Sequence, residues 1–324
     1  SDKAKFGDGW LLNSEIAYAV SNFPDRDFKF IKVVLRGRMH EGRPDAWDAQ
    51  SVHNPHIKRF DGKYYLYHTG SSDPGIQPEG SPGAGLSKRN RIQQNQKIGV
   101  VEFASIDDLL AGNFTQSEKP LLTPRTRVKK DNVLNPSPPG VELLPDNLIV
   151  VNPSVVFRAS DKKYLLYFKG NLYDPYWKGA HGVALSDSPE GPFVPLDKFI
   201  FDFKGADGKL ASAEDPYVWY NNSKQKFYAV FKDFTGKITG GAPGLAIMTS
   251  EDGEHWETME NSMFMPLQLV LKNGTQVKVD RLERPQLLID IHGIPKVLYA
   301  ACSVLPVNQK KDGSSFNIQI PLIP

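Results

Sequence analysis

One short motif, a polar residue followed by proline at the start of an apolar strand, recurs four times along the chain. The motif prolines are Pro55, Pro153, Pro216 and Pro285, so successive copies begin 98, 63 and 69 residues apart. Each copy is followed by a turn and a strand rich in aromatic residues, as in residues 160–167. Proline suits the first position of a strand because it cannot donate to the ladder. Each copy therefore predicts a β-hairpin.

A second motif alternates with the first and also predicts a hairpin. Its copies are apolar strands ending in a polar turn, and they begin at Ile16, Ile98, Gly182 and Gly244. Two hairpins make one four-stranded sheet, and such sheets repeated along a chain are typical of a β-propeller. We predict an all-β fold, a five-bladed β-propeller of four-stranded antiparallel blades. The segment from Phe316 would complete the fourth sheet, the unit at Ile16 would belong to a fifth blade, and a β-sandwich is the alternative.

Composition limits the class of protein and its partners. We expect residues 1–324 to form a single propeller domain, because all-β folds often exceed the ~150 residues of an average domain. With 39 basic and 37 acidic residues the net charge is +2, which gives no clustered basic face for nucleic acid. No stretch approaches the ~20 apolar residues of a membrane span. The single cysteine, Cys302, excludes an internal disulfide and a cysteine-based metal cluster.

The residues just before the four prolines form the candidate site. The innermost strands of a propeller converge on its axis, so side chains at the same end of those strands should face one another. These residues are Asn54, Asn152, Glu214 with Asp215, and Glu283 with Arg284. Amides, carboxylates and a guanidinium suit a ligand rich in hydroxyl groups. Capping or turn roles at the blade starts are the alternative.

Other polar residues near the strand ends extend this candidate site. Asp48 lies six residues before Asn54 and is a candidate acid or base, with Trp47 as a wall of the pocket. His53, Lys169 and His181 are predicted to contact substrate. We expect no cofactor, since the His, Asp and Glu residues here show no distinctive metal-ligand spacing. A Ca²⁺ or Na⁺ ion on the axis is the one ion that we consider.

With these motifs the sequence resembles the five-bladed β-propeller glycoside hydrolases, in the group around families 43 and 117. The resemblance covers nearly the whole chain from Trp10 onwards. Family 43 enzymes carry a general-base Asp in blade one, an Asp that tunes the acid in blade two, and a general-acid Glu in blade three. Glu214 matches the acid position, whereas Asn54 and Asn152 stand where family 43 has Asp. The Glu-Asp-Pro and Glu-Arg-Pro motifs look more like family 117, several members of which act on marine galactans.

The resemblance implies an exo-acting glycoside hydrolase that cleaves plant or algal oligo- or polysaccharides with inversion. Such hydrolysis needs two carboxyl groups that flank the bond. Glu214 is then the predicted general acid, Asp215 a tuning group, Asp48 the first choice of base and Glu283 the second. The long segments 71–96 and 120–148 would wall the pocket.

Two alternatives to this enzyme stay open. The amides at Asn54 and Asn152 support a carbohydrate-binding or catalytically lapsed propeller. A protein-interaction propeller is disfavoured, because Trp-Asp pairs are missing at matching positions of the repeats. The expected partner is an oligo- or polysaccharide, with no nucleic acid and no membrane. We expect an exported protein, periplasmic or extracellular, although no signal peptide is present in the sequence.

Overall fold

The computed structural model describes residues 9–80, 83–125, 142–173, 177–306, 309 and 315–322. The chain divides into two compact units, each of which is described by itself. Unit 1 comprises Ser1–Val20, Lys29–Lys178 and Gly182–Phe199. Unit 2 comprises Ser21–Phe28, Gly179–His181 and Ile200–Pro324. None of the helices within the described ranges is long and apolar enough to cross a membrane.

Unit 1 contains two four-stranded antiparallel sheets and a two-stranded ribbon. The ribbon strands are β1 (Ile16–Val20) and β2 (Lys29–Leu35). The first sheet has the order β3 (Ser51–Phe60), β4 (Lys63–Ser71), β5 (Gln96–Phe103) and β6 (Thr115–Gln116). The second has the order β7 (Val151–Arg158), β8 (Lys163–Tyr173), β9 (Trp177–Ser186) and β10 (Val194–Pro195), although residues 179–181 of β9 cluster with unit 2. The helices are α1 (Gly9–Leu12), a 3-10 helix (Arg38–Glu41), α2 (Lys88–Gln93) and α3 (Ile106–Ala111).

Unit 2 contains a four-stranded sheet, a three-stranded sheet and a second ribbon. The four-stranded sheet has the order β11 (Ala213–Asn221), β12 (Lys226–Asp233), β13 (Gly244–Ser250) and β14 (Glu257–Pro266). The ribbon strands are β15 (Gln268–Val270) and β16 (Gln276–Lys278). The three-stranded sheet has the order β17 (Arg281–Ile289), β18 (Pro295–Ser303) and β19 (Ser315–Pro321).

Alternation along the strands explains how each unit builds its core. In β4, Tyr65 and Tyr67 pack into one apolar cluster and Leu66 packs into another, so this strand is buried on both faces. In unit 2, Trp219 of β11 and Leu298 of β18 pack in a cluster that joins the two larger sheets. Burying one leucine of this kind stabilises the fold by about 1.5–3 kcal/mol. The apolar runs in the sequence therefore form the strands whose side chains build the buried core.

The predicted all-β class and the four-stranded antiparallel blade are confirmed, and the sheets are arranged as a β-propeller. The number of blades is four, not the predicted five. The prediction was wrong because β1 pairs only with β2 among the described residues, and a two-stranded ribbon is too small for a blade. The segment from Phe316 joins the fourth sheet, where β19 pairs with β18, but as a single strand, so this sheet has three strands within the described residues rather than the predicted four.

The motif prolines lie at one recurring structural position. They lie in β3, β7, β11 and β17, each at the end of its sheet's strand order, and the pairing register slips at every one. The residue before each proline has a positive φ, which is 53° at Asn54, 58° at Asn152, 60° at Asp215 and 56° at Arg284. This conformation costs a non-glycine residue about 1–3 kcal/mol. The sequence repeat is thus a repeated, strained β-bulge.

Candidate active site

A buried lysine lies between two glutamates in unit 2. Lys232 Nζ donates to Glu283 Oε1 at 2.6 Å and to Glu214 Oε1 at 3.2 Å, so the two Oε1 atoms are at most 5.8 Å apart. The Lys232 side chain is 8% exposed, whereas those of Glu214 and Glu283 are 19% and 21% exposed. The two carboxylates therefore reach solvent while the ammonium beneath them is nearly covered.

The three side chains meet because of strand register and repeat position. Glu214 of β11 pairs with Lys232 of β12. Glu283 occupies in β17 the position that Glu214 occupies in β11, two residues before the motif proline. Strands β11 and β17 contact each other in unit 2. Two copies of the repeated motif thus bring their glutamates to one lysine.

The two glutamates have different charged neighbours. Glu283 forms ion pairs with Lys232 and with Arg281, whose Nη1 lies 3.3 Å from Glu283 Oε1. Glu214 accepts from Lys232 at the longer distance and is followed in the chain by a second carboxyl group, Asp215. A pair of carboxyl groups in unequal surroundings is the arrangement that separates acid and base roles.

Asp215 is a buried carboxyl group next to this pair. It is 5% exposed, and its Oδ2 accepts a hydrogen bond from the backbone N–H of Arg284 at 3.0 Å. Burial, followed by the negative charges of Glu214 and Glu283, raises the pKa of Asp215 to about 6, although Arg284 and Lys232 oppose the shift. The group is therefore divided between its protonated and ionised forms near pH 6.

Arg284 contributes both backbone and side chain to the neighbourhood of Asp215. Its Nη1 is buried and has no hydrogen-bond partner among the described residues. An unpaired buried donor of this kind costs about 1–3 kcal/mol relative to one that finds an acceptor. The guanidinium is therefore available for a further acceptor, which agrees with the predicted role in substrate binding.

The side chains of Asn54 and Asn152 lie together in unit 1. The Asn54 side-chain amide donates to the side-chain oxygen of Asn152. The backbone N–H of Asn152 donates to Thr69 Oγ1 at 3.0 Å. These amides occupy in β3 and β7 the positions of Asp215 and Arg284 in unit 2. The convergence of all the pre-proline residues on one cavity stays a prediction.

Asp48 has the surroundings of a structural carboxylate. It is fully buried, and it accepts hydrogen bonds from Arg38 Nε at 2.5 Å and Gln116 Nε2 at 2.6 Å. The His68 ring nitrogen lies 3.8 Å from it. Burial works against ionisation, but the neighbouring His68 and Arg38 outweigh it and hold the pKa of Asp48 below its usual value. A covered and fully engaged carboxylate is poorly placed to activate a water, which argues against Asp48 as the base.

Trp47 is packed in the protein interior rather than lining an open pocket. It is 8% exposed and stacks on the His68 ring with 5.6 Å between centroids. Two glycines make room for it, because a Cβ at Gly70 or Gly99 would come within 2.5 Å of the indole ring. The loop before β3 is thereby held against the face of the sheet, and Asp48 is covered with it.

The remaining predicted contact residues lie in varied surroundings. His53 is buried and meets Trp10 edge-on at 5.4 Å, and His181 is buried against Phe201 at 5.2 Å. Lys169 is half-buried in β8, where it pairs with Val151. Their predicted contacts with substrate stay predictions. The described residues contain no group of three His, Cys, Asp or Glu side chains suited to a metal ion.

The two long segments are only partly visible. An ion pair within segment 71–96 joins its two ends, because Arg91 Nε and Nη2 each donate to an Asp73 oxygen at 3.0 Å. In segment 120–148, Arg125 binds both oxygens of Asp146, and residues 126–141 lie outside the described part of the chain. The prediction that these segments wall a pocket stays a prediction.

The sequence reasoning missed Lys232, although a signal for it exists. The aromatic strand of the second repeat contains Lys169, a predicted contact residue, and the matching strand of the third repeat contains Lys232 at the equivalent position. The registers agree, since Val151 pairs with Lys169 as Glu214 pairs with Lys232. Aligning the hairpins over their full length would have placed Lys232 beside Glu214.

Comparison with known proteins supports the fold. No protein-family model and no curated protein sequence matches the chain. Zg3597, a family 117 glycoside hydrolase from the marine bacterium Zobellia galactanivorans, has a TM-score of 0.54 and 17% identity, covering 94% of this chain and 68% of its own. A structure described as a complex of BT0996 with RGII has a TM-score of 0.62 and 10% identity, covering 96% and 78%. Another, described as a glycoside hydrolase, has a TM-score of 0.63 and 11% identity, with the same coverage. The resemblance inferred from the motifs is confirmed at the level of the fold.

Proposed function

We propose that the protein is a glycoside hydrolase whose chemistry is carried by Glu214 and Glu283. The observation that carries this proposal is the pair of partly exposed carboxylates bridged by Lys232. Hydrolysis of a glycosidic bond requires one carboxyl group to protonate the leaving oxygen and a second to act on the anomeric side. The shared fold with glycoside hydrolases supports the same reaction class.

Glu214 is the proposed general acid, and Glu283 is the proposed carboxylate partner. Glu283 forms ion pairs with two cations, as a group that works in its ionised form requires. Glu214 lies beside Asp215, which provides a second negative charge and so favours a proton on one of the two. Asp215 is then the tuning group. In this proposal Asp48 keeps a structural role, and the amides at Asn54 and Asn152 do not remove either working carboxylate.

The proposed substrate is an oligo- or polysaccharide of plant or algal origin, attacked from a chain end. The support is the family resemblance, together with Zg3597 from a marine bacterium and the structure of BT0996 described as an RGII complex. A polysaccharide of this kind lies outside the cell, which is consistent with an exported protein. Analysis of products over time would show exo action as a single small sugar released from the start.

A panel of 4-nitrophenyl glycosides in both anomeric forms, with oligosaccharides of plant and algal sugars, tests the reaction. Removing an acid or base lowers rates by about 10²–10⁴-fold, so Glu214→Gln and Glu283→Gln should lose at least that much on poor leaving groups. Glu260→Gln, an exposed glutamate on β14, is the matched control and should keep wild-type rates. If the wild-type protein binds sugars but hydrolyses none of the panel, the carbohydrate-binding alternative replaces this proposal.

A further inference from the structure

We propose that the exposed ring of Phe234 is a sugar-binding platform, which stacks on the apolar face of a pyranose ring and holds that sugar beside Glu214 and Glu283. This inference rests on the proposed function, because the ring belongs to the same site. Its support is the contact of the ring with Lys232, the rigid backbone beneath the ring, and the residues at the same position in the other repeats.

The ring of Phe234 lies next to the lysine that bridges the two glutamates. Phe234 directly follows β12 and is two residues from Lys232, so the two side chains point to the same face. Lys232 Nζ lies over the ring, 4.2 Å from its centre, and the same atom donates to Glu214 and Glu283. The ring therefore borders the carboxylates that the proposed reaction uses.

The ring is open to solvent although its neighbours in the chain are not. Phe234 is 41% exposed, whereas the Lys232 side chain is 8% exposed and Asp233 is fully buried. A pyranose presents C–H groups on its face and hydroxyl groups around its edge. Its face can cover an aromatic ring while its hydroxyl groups meet nearby polar side chains, which is how small-ligand sites combine aromatic walls with a few polar groups.

The backbone around Phe234 holds the ring in this exposed position. The Asp233 carboxylate accepts hydrogen bonds from the backbone N–H groups of residues 235, 236, 238 and 239 at 2.8–3.2 Å, which fixes the turn after Phe234. The backbone N–H of Phe234 itself donates to the Ser212 carbonyl oxygen at 3.0 Å. A ring that is already held in place loses little freedom when a ligand binds, which favours affinity.

The fold itself does not require an aromatic residue at this position. In every repeat the residue two places before the motif proline pairs with a residue on the next strand, as Glu214 pairs with Lys232, and the position of Phe234 lies two residues further on. The residues at this position in the other repeats are polar, namely Ser71, Asn171 and Ser303. The phenylalanine thus occurs in the repeat whose lysine bridges the glutamates, as a ligand-binding ring would.

The first test measures Phe234→Leu against the wild type on two substrates of the sugar that the protein hydrolyses fastest. One is the glycosyl fluoride, which has no aglycone ring, and the other is an oligosaccharide. Leucine still covers Lys232 with apolar carbon but offers no flat surface. We expect kcat/KM to fall about tenfold, mainly through a higher KM, and Phe234→Tyr or Phe234→Trp to restore it.

Phe23→Leu is the matched control for this test and should keep wild-type values. Phe23 is 43% exposed, and the guanidinium carbon of Arg26 lies 3.9 Å from its ring centre, so it matches Phe234 in exposure and in having a cation over the ring. A loss on both substrates would place the platform under the sugar that is cleaved, and a loss on the oligosaccharide alone would place it under the leaving sugar.

Three results would overturn the inference and leave the proposed function intact. The first is an unchanged kcat/KM of Phe234→Leu on both substrates. The second is an equal loss in Phe23→Leu. The third is a loss that neither Phe234→Tyr nor Phe234→Trp restores, because the ring would then serve only to cover Lys232.

A second test detects the contact without catalysis. Sugar C–H protons that lie over an aromatic ring shift upfield in the proton NMR spectrum. With the oligosaccharide and Glu283→Gln protein we expect such shifts, and we expect Phe234→Leu in the same background to remove them. If the wild type hydrolyses none of the panel, the proposed function fails, and the same titration with each oligosaccharide of the panel tests the platform alone. Shifts that depend on Phe234 would then support it, and their absence would overturn it.

Discussion

Replacing Lys232 with methionine tests how strongly the site depends on its central cation. Methionine keeps most of the volume of the side chain but leaves Glu214 and Glu283 without their shared partner. Removing one partner of a buried ion pair costs about 3–5 kcal/mol. Because the two carboxylates are about one-fifth exposed, water compensates for part of the loss, and we expect about 3 kcal/mol.

Urea denaturation followed by tryptophan fluorescence measures this loss. The matched control is Lys226→Met, on the same strand, whose ion pair with Glu251 is largely exposed and should contribute little. The triple variant with Glu214→Gln and Glu283→Gln should recover most of the stability, since two neutral amides no longer need a cation. If Lys232→Met is as stable as Lys226→Met, the carboxylates do not depend on the lysine, and its role as the central cation of the site is refuted.

Three other predictions follow from the surroundings of single carboxyl groups. The raised pKa of Asp215, from 3.8 to about 6, makes the stability of the fold depend on pH. The stabilisation from the protonated carboxyl group is complete below pH 3.8 and is lost as the pH rises through about 6. The loss amounts to about 3 kcal/mol, so Asp215→Asn should gain stability relative to the wild type between about pH 4 and pH 7 in urea titrations; parallel profiles would contradict this. Asp48→Asn leaves the buried Arg38 with only the exposed Glu118, at 3.5 Å, and should cost about 3 kcal/mol of stability while the folded fraction keeps wild-type kcat; a stable variant without activity would restore Asp48 as the base. Glu214→Gln should abolish hydrolysis of alkyl glycosides but spare 2,4-dinitrophenyl glycosides, whose leaving group needs no proton; equal losses on both would exclude Glu214 as the acid.

The sequence repeat predicted most of the strand order. The four proline motifs mark four equivalent strands, because proline without an N–H is tolerated in a sheet at an edge or at a bulge. The prolines do not begin these strands as predicted: each strand starts two to four residues earlier, and each proline lies at a bulge inside it. The ends of α3 (Ile106–Ala111) follow local signals, because Ser105 caps its start and Gly112, which has a φ of 83°, ends it. The number of blades was not predictable from the motifs. It depends on which distant strand the first hairpin pairs with, and no local pattern encodes that choice.

The site was only partly predictable for two physical reasons. Strict alternation would place Glu214 and Asp215 on opposite faces, but the bulge at Asp215 bends the strand, and the charge of Glu214 still raises the pKa of Asp215. Asp48 was a reasonable candidate by sequence distance. It is covered because Trp47 fits over Gly70 and Gly99, a packing relation between the loop before β3 and two strands that come later in the chain.

A crystal structure with the product monosaccharide bound would test the central claim most directly. We predict that the anomeric centre of the sugar lies next to Glu214 and Glu283, with Glu283 on the side of the anomeric carbon. We also predict a hydrogen bond between the anomeric hydroxyl and Glu214. A sugar whose anomeric carbon faces other carboxylates, or that binds away from both Glu214 and Glu283, would contradict the claim that this lysine-bridged pair carries the reaction.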